Sequence, residues 1–486
     1  MLRIARLLGL MCISLFLAAS LSPARLSAQS SSRFSPEVKT FIRVDAPVVA
    51  LAHVRVIDGT GSAAVENQTI VIAEGKIQSV GAADKISAPA GAKVLDLSGY
   101  TVIPGLVGMH EHMFYPSGGG TFIYNEQGSS FPRLYLAGGV TTIRTAGSIE
   151  PYTDLELKKL IDEGGFPGPK IHVTGPYLEG TDSFTPQMHQ LANPGDARAM
   201  VEYWIAEGAT SFKAFMHITR AELGAAIEAA HKHGIKVTGH LCAVGFHEAA
   251  ALGIDNLEHG LLVDTEFDPG KTPDSCPSQV VTAATIAKID VESAPVQDMI
   301  HDLVAHHVAI TSTFPPFETF APNRPPLQQR VLDAMIPEAR VDYLSQRALI
   351  AQSPNSPWPV LLQKEMQFER DFVKAGGLLM AGEDPTAYGG TLAGFGDQRE
   401  VELLVEAGFT PVEAIHIATA NGAEFLGEAD RIGTIAPGKL ADLVVIHGDP
   451  SKNISDIEKV EIVFKDGAGY DSPKLIESVR GMVGLH

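Results

Sequence analysis

Across residues 104–426 short β-type runs alternate with helical stretches, and this alternation narrows the possible folds more than any other feature. Eight runs stand out: "TVIPGLVGMHEH", "GVTTIRTAG", "PKIHVTGPYL", "TSFKAFM", "IKVTGHL", "DNLEHG", "VAITSTF" and "GGLLMAGED". Strands joined through helices pair in parallel, because a tight hairpin turn can only reverse the chain. Eight such units predict an α/β fold in which the sheet closes as a (β/α)₈ TIM barrel. Two of the helices are marked by their caps. Thr219 with Glu222 forms a capping box, and Leu223, Ala226, Ile227 and Ala230 then fall on one face of a helix from 219 to 233. Thr410-Pro411-Val412-Glu413 opens another, with proline at the first helical position. Residues 262–290 and 314–360, rich in proline and polar residues, exceed ordinary loop lengths and are read as insertions over the barrel mouth.

The two ends have a different texture. "VVALAHVRVID", "QTIVIAEGKIQSVG" and "AKVLDLSGYTVIP" near the start, and "GTIAPGKLADLVVIHGD" and "KVEIVFKDG" near the end, are strand runs punctuated by turn dipeptides. They predict one small β-sandwich domain built from both termini, residues 46–103 and 427–470, flanking a barrel over 104–426. Ahead of it, "MLRIAR", the apolar "LLGLMCISLFLAA" and the small residues of "RLSAQS" have the order of a secretory leader cleaved after Ala28. The apolar run is shorter than the ~20 residues that span a bilayer. The expectation is an exported protein, periplasmic or extracellular, with no stable membrane anchor once residues 1–28 are removed. Only Cys242 and Cys276 would survive that cleavage; sequence leaves open whether they bond, and two cysteines cannot build a cysteine-rich zinc module. With 57 acidic against 37 basic residues and no Lys/Arg tract, nucleic acid and anionic membranes are poor partners.

In a TIM barrel the chemistry lies at the C-terminal ends of the strands. Reading only those ends yields His110 and His112, Lys213, His240, His259 and Asp384. Side chains two apart on a strand point the same way, so His110 and His112 converge. A lone pair of histidines is as readily a polar turn as a metal site; ligand types recurring at several expected ends favour the metal. Lys213 sits inside an apolar strand where a bare ammonium is costly to bury. As a free amine it can take up carbon dioxide to form a carbamate, an anion able to bridge two divalent ions. No phosphate cradle or dinucleotide fingerprint is present. His301, His306 and His307 are read as solvated or capping, His231 and His233 as helix-end cations, and His416 as packed. Arg144, His217 and Tyr115, just past strand ends, are candidate substrate contacts. Arg144 is foremost, because a guanidinium can grip a substrate carboxylate.

"GLVGMHEH", "TSFKAFM", "KVTGH", "NLEHG" and "AGED", with the closing "AIHIATANGAEFLGEADRIGTIAPGKLADLVVI", resemble the successive motifs of the amidohydrolase superfamily of metal-dependent hydrolases. In texture they are most similar to the branch with imidazolonepropionase-like proteins and exported metal-dependent dipeptidases. The resemblance implies that His110 and His112 hold one ion with Asp384, that His240 and His259 hold the other, and that carboxylated Lys213 bridges them. It further implies a metal-bridging hydroxide as nucleophile and Asp384 as the catalytic proton carrier. Two divalent ions, with zinc foremost, and carbon dioxide on Lys213 are the implied cofactors. Glu111, Glu383 and Thr145 depart from the family pattern, and strand alternation should aim both glutamates away from the metals.

The expected function is an exported binuclear hydrolase cleaving the carbon–nitrogen bond of a small amide, a dipeptide or N-acyl amino acid. Within enzymes the alternatives are a cyclic-amide hydrolase of the imidazolonepropionase type or a deaminase. A non-catalytic scaffold relative is the remote one, since scaffolds lose ligands and this chain keeps them.

Overall fold

The computed structural model describes residues 33–117 and 123–485. The expected leader, residues 1–28, lies outside them. In the middle of the chain the first strand, Leu106–Glu111, pairs in parallel with Val140–Thr145, which pairs with Lys170–His172. A second parallel set follows in chain order: Ser211–Ala214, Lys236–Gly239, Asn256–Glu258, Ala309–Ser312 and Leu379–Ala381. Parallel bridges from Thr174 to Ser211 and from Leu178 to Ala214 join the two sets. At the other edge the Asp384 N–H donates to the His110 carbonyl at 3.0 Å. Gly382 lets the last strand come this close, since a Cβ there would stand 2.5 Å from the backbone nitrogen of His110. The architecture is an α/β fold of the TIM-barrel type.

Local chemistry accounts for the helices between strands. Thr219 and Glu222 exchange the two capping-box bonds that open helix Arg220–His231, and Leu223, Ala226, Ile227 and Ala230 are buried along it. Thr410 and Glu413 do the same for helix Pro411–His416. The two long segments are more helical than their composition suggests. Residues 262–290 hold helix Gln279–Ile286, and 314–360 hold Phe314–Glu318, Gln329–Ala334 and Pro337–Ala351. Prolines that read as loop markers stand in the first turn of two of these helices, where no backbone N–H is required. A disulfide joins Cys242, just beyond the fifth strand, to Cys276 in the first of these segments.

Strands from both ends of the chain interleave in one nine-stranded sheet. Tyr100–Pro104 lies antiparallel to Leu443–His447, and Ile42–Val44 to Ala468–Asp471. The sheet has its own apolar cluster, in which Val54, Val102, Leu443 and Phe464 meet. No helix among the described residues is long and apolar enough to cross a membrane.

Candidate metal centre

His110 closes the first strand and His112 follows it by two positions, so both rings turn to the same side, with centroids 5.3 Å apart. Asp384, three residues beyond the eighth strand, reaches both from across the gap: its oxygens lie 3.5 Å from His112 Nε2 and 3.8 Å from His110 Nε2. His259 Nε2 is 3.9 Å from the same carboxylate. The His259 ring lies 4.5 Å from that of His110 and 4.6 Å from that of His240, centroid to centroid. Lys213, in the fourth strand, places Nζ 2.9 Å from His110 Nε2. The structure therefore brings His110, His112, Lys213, His240, His259 and Asp384 into one buried cluster, each from the end of a different strand apart from the first two.

His110, His112 and His259 each have Nδ1 engaged away from the Asp384 carboxylate. His112 Nδ1 donates to the Gly147 carbonyl at 3.2 Å, which fixes the proton on Nδ1 because a carbonyl only accepts. His110 Nδ1 donates to Glu258 Oε2 at 2.8 Å, and His259 Nδ1 lies 2.6 Å from Thr313 Oγ1. The Nε2 lone pairs of His110 and His112 are left facing Asp384. Burial draws the pKa of His112 down to about 4 and that of His240 to about 3, so neither ring is a cation near neutral pH. Lys213 is drawn down to about 8 by the same burial, opposed by Glu258 and Asp384. Asp384 Oδ1 is buried with no hydrogen-bond partner.

Neutral nitrogens and an orphaned carboxylate oxygen form a donor set suited to a divalent cation, and the outward Nδ1 bonds are the usual support for metal-binding histidines. His110, His112 and Asp384 offer ligand atoms within 4.8 Å of one another. Two of the residues carry left-handed backbones, His259 at φ +68° and Asp384 at φ +46°. Such conformations cost non-glycine residues about 1 kcal/mol or more and persist where the surroundings fix them.

Arg144, the foremost candidate for a substrate contact, is turned inward. Its guanidinium lies inside the strand layer at 1% exposure, donating to Glu258 Oε1 at 2.8 Å, to Thr238 Oγ1 at 3.1 Å and to the Met109 carbonyl. Sequence reading took "NLEHG" for its histidine and passed over the glutamate beside it. The available signal was a buried arginine in one strand and a buried glutamate in another, since such a cation demands a partner. Burial pushes Glu258 up, but Arg144 and His110 outweigh it and hold the carboxyl well below its usual range. Glu258 thus connects Arg144 to His110. Glu258→Gln is expected to cost about 3–5 kcal/mol of stability, the loss typical of stranding a buried charge. It should also weaken metal affinity by about 10- to 100-fold through the loosened His110 ring. Denaturant titration and metal-competition titration check the two effects.

Tyr115 also lies away from the cluster: it is buried, and its hydroxyl accepts from the Gly390 N–H at 3.2 Å, bracing the loop after the eighth strand. His217 stays partly open to solvent near the fourth strand, and the Glu179 carboxylate 3.5 Å from its Nδ1 raises its pKa. Glu111 and Glu383 turn to the other side of their strands and meet Asp397, all three buried within 4.8 Å. Burial pushes the two glutamates well above their usual range and Asp397 to about 6. Exposed His301, His306 and His307 lie far from this chemistry in or just after helix Ala294–Ala305, and His416 Nδ1 meets the Gly59 carbonyl at 2.8 Å.

The family model described as "Amidohydrolase family" matches residues 101–468. A dihydroorotase of Pelotomaculum thermopropionicum is 25% identical over 415 residues, 80% of this chain and 87% of that protein. Among solved structures, a Xaa-Pro dipeptidase with bound methionine in its active site is 22% identical, with a TM-score of 0.65 over 87% of this chain and 100% of the other. A bottromycin amidohydrolase is 19% identical, with a TM-score of 0.66 over 93% and 97%. At these identities the solved structures speak for the fold.

Proposed function

The chain belongs to the amidohydrolase family, metal-dependent hydrolases of carbon–nitrogen bonds, and from that premise we propose that it cleaves a small linear amide, a dipeptide or N-acyl amino acid, outside the cytoplasm. The observation that carries the chemistry is the convergence of three imidazole Nε2 atoms on the two oxygens of the Asp384 carboxylate, of which Oδ1 has no hydrogen-bond partner. His110, His112 and Asp384 would hold one divalent ion, His240 and His259 a second, and Lys213, carboxylated, would lie between them. Zinc suits this nitrogen-rich set. When bound, the ions supply an acidified water as nucleophile and a positive charge that polarises the scissile carbonyl.

The protein's own groups do the rest. Asp384, free of hydrogen bonds at Oδ1, takes the proton of the attacking water and delivers it to the departing nitrogen. Glu258 and the Gly147 carbonyl hold His110 and His112 in one tautomer and one orientation, so the site need not reorganise during reaction. Lys213 in its unmodified form meets an imidazole rather than a carboxylate, so no anion of the protein is hydrogen-bonded to its amine. We further read the eight parallel strands as a closed barrel and the terminal sheet as a sandwich domain. The Asp384–His110 backbone bond and the separate apolar cluster of the sheet support this.

The linear-amide reading draws on the leader-like N-terminus, since an exported enzyme meets peptides and acylated compounds more often than pathway intermediates. A second reading, hydrolysis of a cyclic amide, is favoured by the dihydroorotase relative, which spans most of the chain. The test is a panel of dipeptides, N-acyl amino acids, cyclic amides and aminopurines offered to the metal-loaded protein. Turnover of the linear amides is expected; turnover confined to cyclic amides or aminopurines overturns the proposal.

A further inference from the structure

A line of aromatic rings runs outward from one of the clustered imidazoles. Phe317 meets the His259 ring nearly edge-on, with centroids 5.5 Å apart. Phe320 follows at 6.4 Å. Trp358 stacks on Phe320 at 4.4 Å with planes 22° apart, and lies at the same tilt to Phe317 at 6.1 Å. Tyr388 ends the line, edge-on to Phe320 at 4.9 Å. Three segments distant in sequence supply these side chains: the short helix Phe314–Glu318 and the residues after it, the first turn of helix Trp358–Lys374, and the loop beyond Asp384. Rings gathered only to fill a core would be buried. Phe317, Phe320 and Trp358 are half-buried, and Tyr388 is 37% exposed.

We infer that this ladder is a substrate subsite that receives an aromatic group attached to the scissile amide, on the His259 side of the centre. The inference deepens the linear-amide reading and rests on it. Near-parallel rings offer a broad apolar face, which matches a flat apolar group better than a compact cation, for which rings arranged as a box are the better shape. Nor is a carboxylate free on that helix to complement a cation. Glu318, beside Phe317, is fully buried and bound by both Arg324 and Arg399. The rings already support one another, so little side-chain freedom is lost when a further ring joins them.

Two measurements on the full chain test this. The first compares kcat/KM for N-acetyl-phenylalanine, N-acetyl-leucine, N-benzoyl-glycine and N-acetyl-glycine. An aromatic group in one of the two halves is expected to raise kcat/KM at least about tenfold, mainly through KM, and the arm that responds identifies the half that sits on the ladder. Trp358→Ala should bring the aromatic-to-aliphatic ratio close to one. Trp358→Leu keeps apolar volume without the flat face, and should do the same if Trp358→Ala folds poorly. The second readout needs no turnover. Trp358 is one of only two tryptophans, so in a Trp204→Phe background its emission should be quenched saturably by phenylpropionate and not by a branched aliphatic acid of equal length.

Equal kcat/KM for aromatic and aliphatic amides, with no saturable quenching, overturns the subsite and leaves the linear-amide reading standing. Saturable quenching by phenylpropionate with no linear amide turned over keeps the subsite and overturns that reading instead. Quenching by a quaternary ammonium in place of phenylpropionate also overturns the inference.

Discussion

Asp384→Asn is expected to abolish nearly all turnover while leaving the fold intact. The carboxylate is asked to do two things: bind a cation through an oxygen with no other partner, and carry a proton from water to the leaving nitrogen. An amide is a weak ligand and cannot accept that proton at all. Removing a general acid–base group alone costs about 10²- to 10⁴-fold, and the lost ligand adds to it, so kcat should fall by at least about a thousandfold. Asparagine tolerates the left-handed backbone that residue 384 adopts at φ +46°, so the substitution adds little backbone strain. Thermal melting and circular dichroism should therefore match the parent protein while kcat collapses. Near-normal turnover would take the proton-carrying role away from Asp384.

The second large effect is expected at Lys213. Its side chain is fully buried in the fourth strand, with Nζ against His110 and the rings of Tyr177 and Phe215 within 6 Å of the amine. If carbon dioxide converts it to a bridging carbamate, Lys213→Ala removes the one anion lying between two cations and leaves their repulsion unopposed. Most activity and part of the bound metal should be lost, and a short carboxylic acid such as propionate should restore a fraction of the turnover by filling the gap. A carbamate resonance should appear in the carbon-13 spectrum of wild-type protein equilibrated with labelled bicarbonate, and be absent from the variant. Full activity and metal content in Lys213→Ala would contradict the bridge.

How much of this was legible in the sequence depended on whether the deciding interaction was local. Capping boxes at Thr219 and Thr410 are set by residues three apart, and both could be read directly. The strand alternation and the side-chain period of two likewise indicated which residues would share the strand ends, and the structure gathers those residues. Arg144 illustrates the opposite case. Its position just past an apolar run is equally consistent with reaching a substrate or with turning inward. Only the buried Glu258, more than a hundred residues away, decides between them. Tyr115 is placed by a distant partner in the same way, since the Gly390 backbone that holds its hydroxyl belongs to another strand's loop. In segment 314–360 the prolines suggest loops, but at the first turn of a helix they cost nothing and fix the starting angle, so the helices there are hidden from composition. The aromatic ladder joins three separate segments, and no periodicity within any of them announces it.

Stoichiometric reconstitution is the sharpest test of a catalytic centre of two divalent ions assembled from strand ends. The full chain is stripped of metal and titrated with zinc or manganese, with bound metal per chain and amide turnover measured on the same samples. Turnover should rise with added metal and level off at two ions per chain, and Asp384→Asn and Lys213→Ala should both bind less without reaching that activity. Full turnover at one ion per chain, or turnover indifferent to metal content, would contradict the two-ion centre.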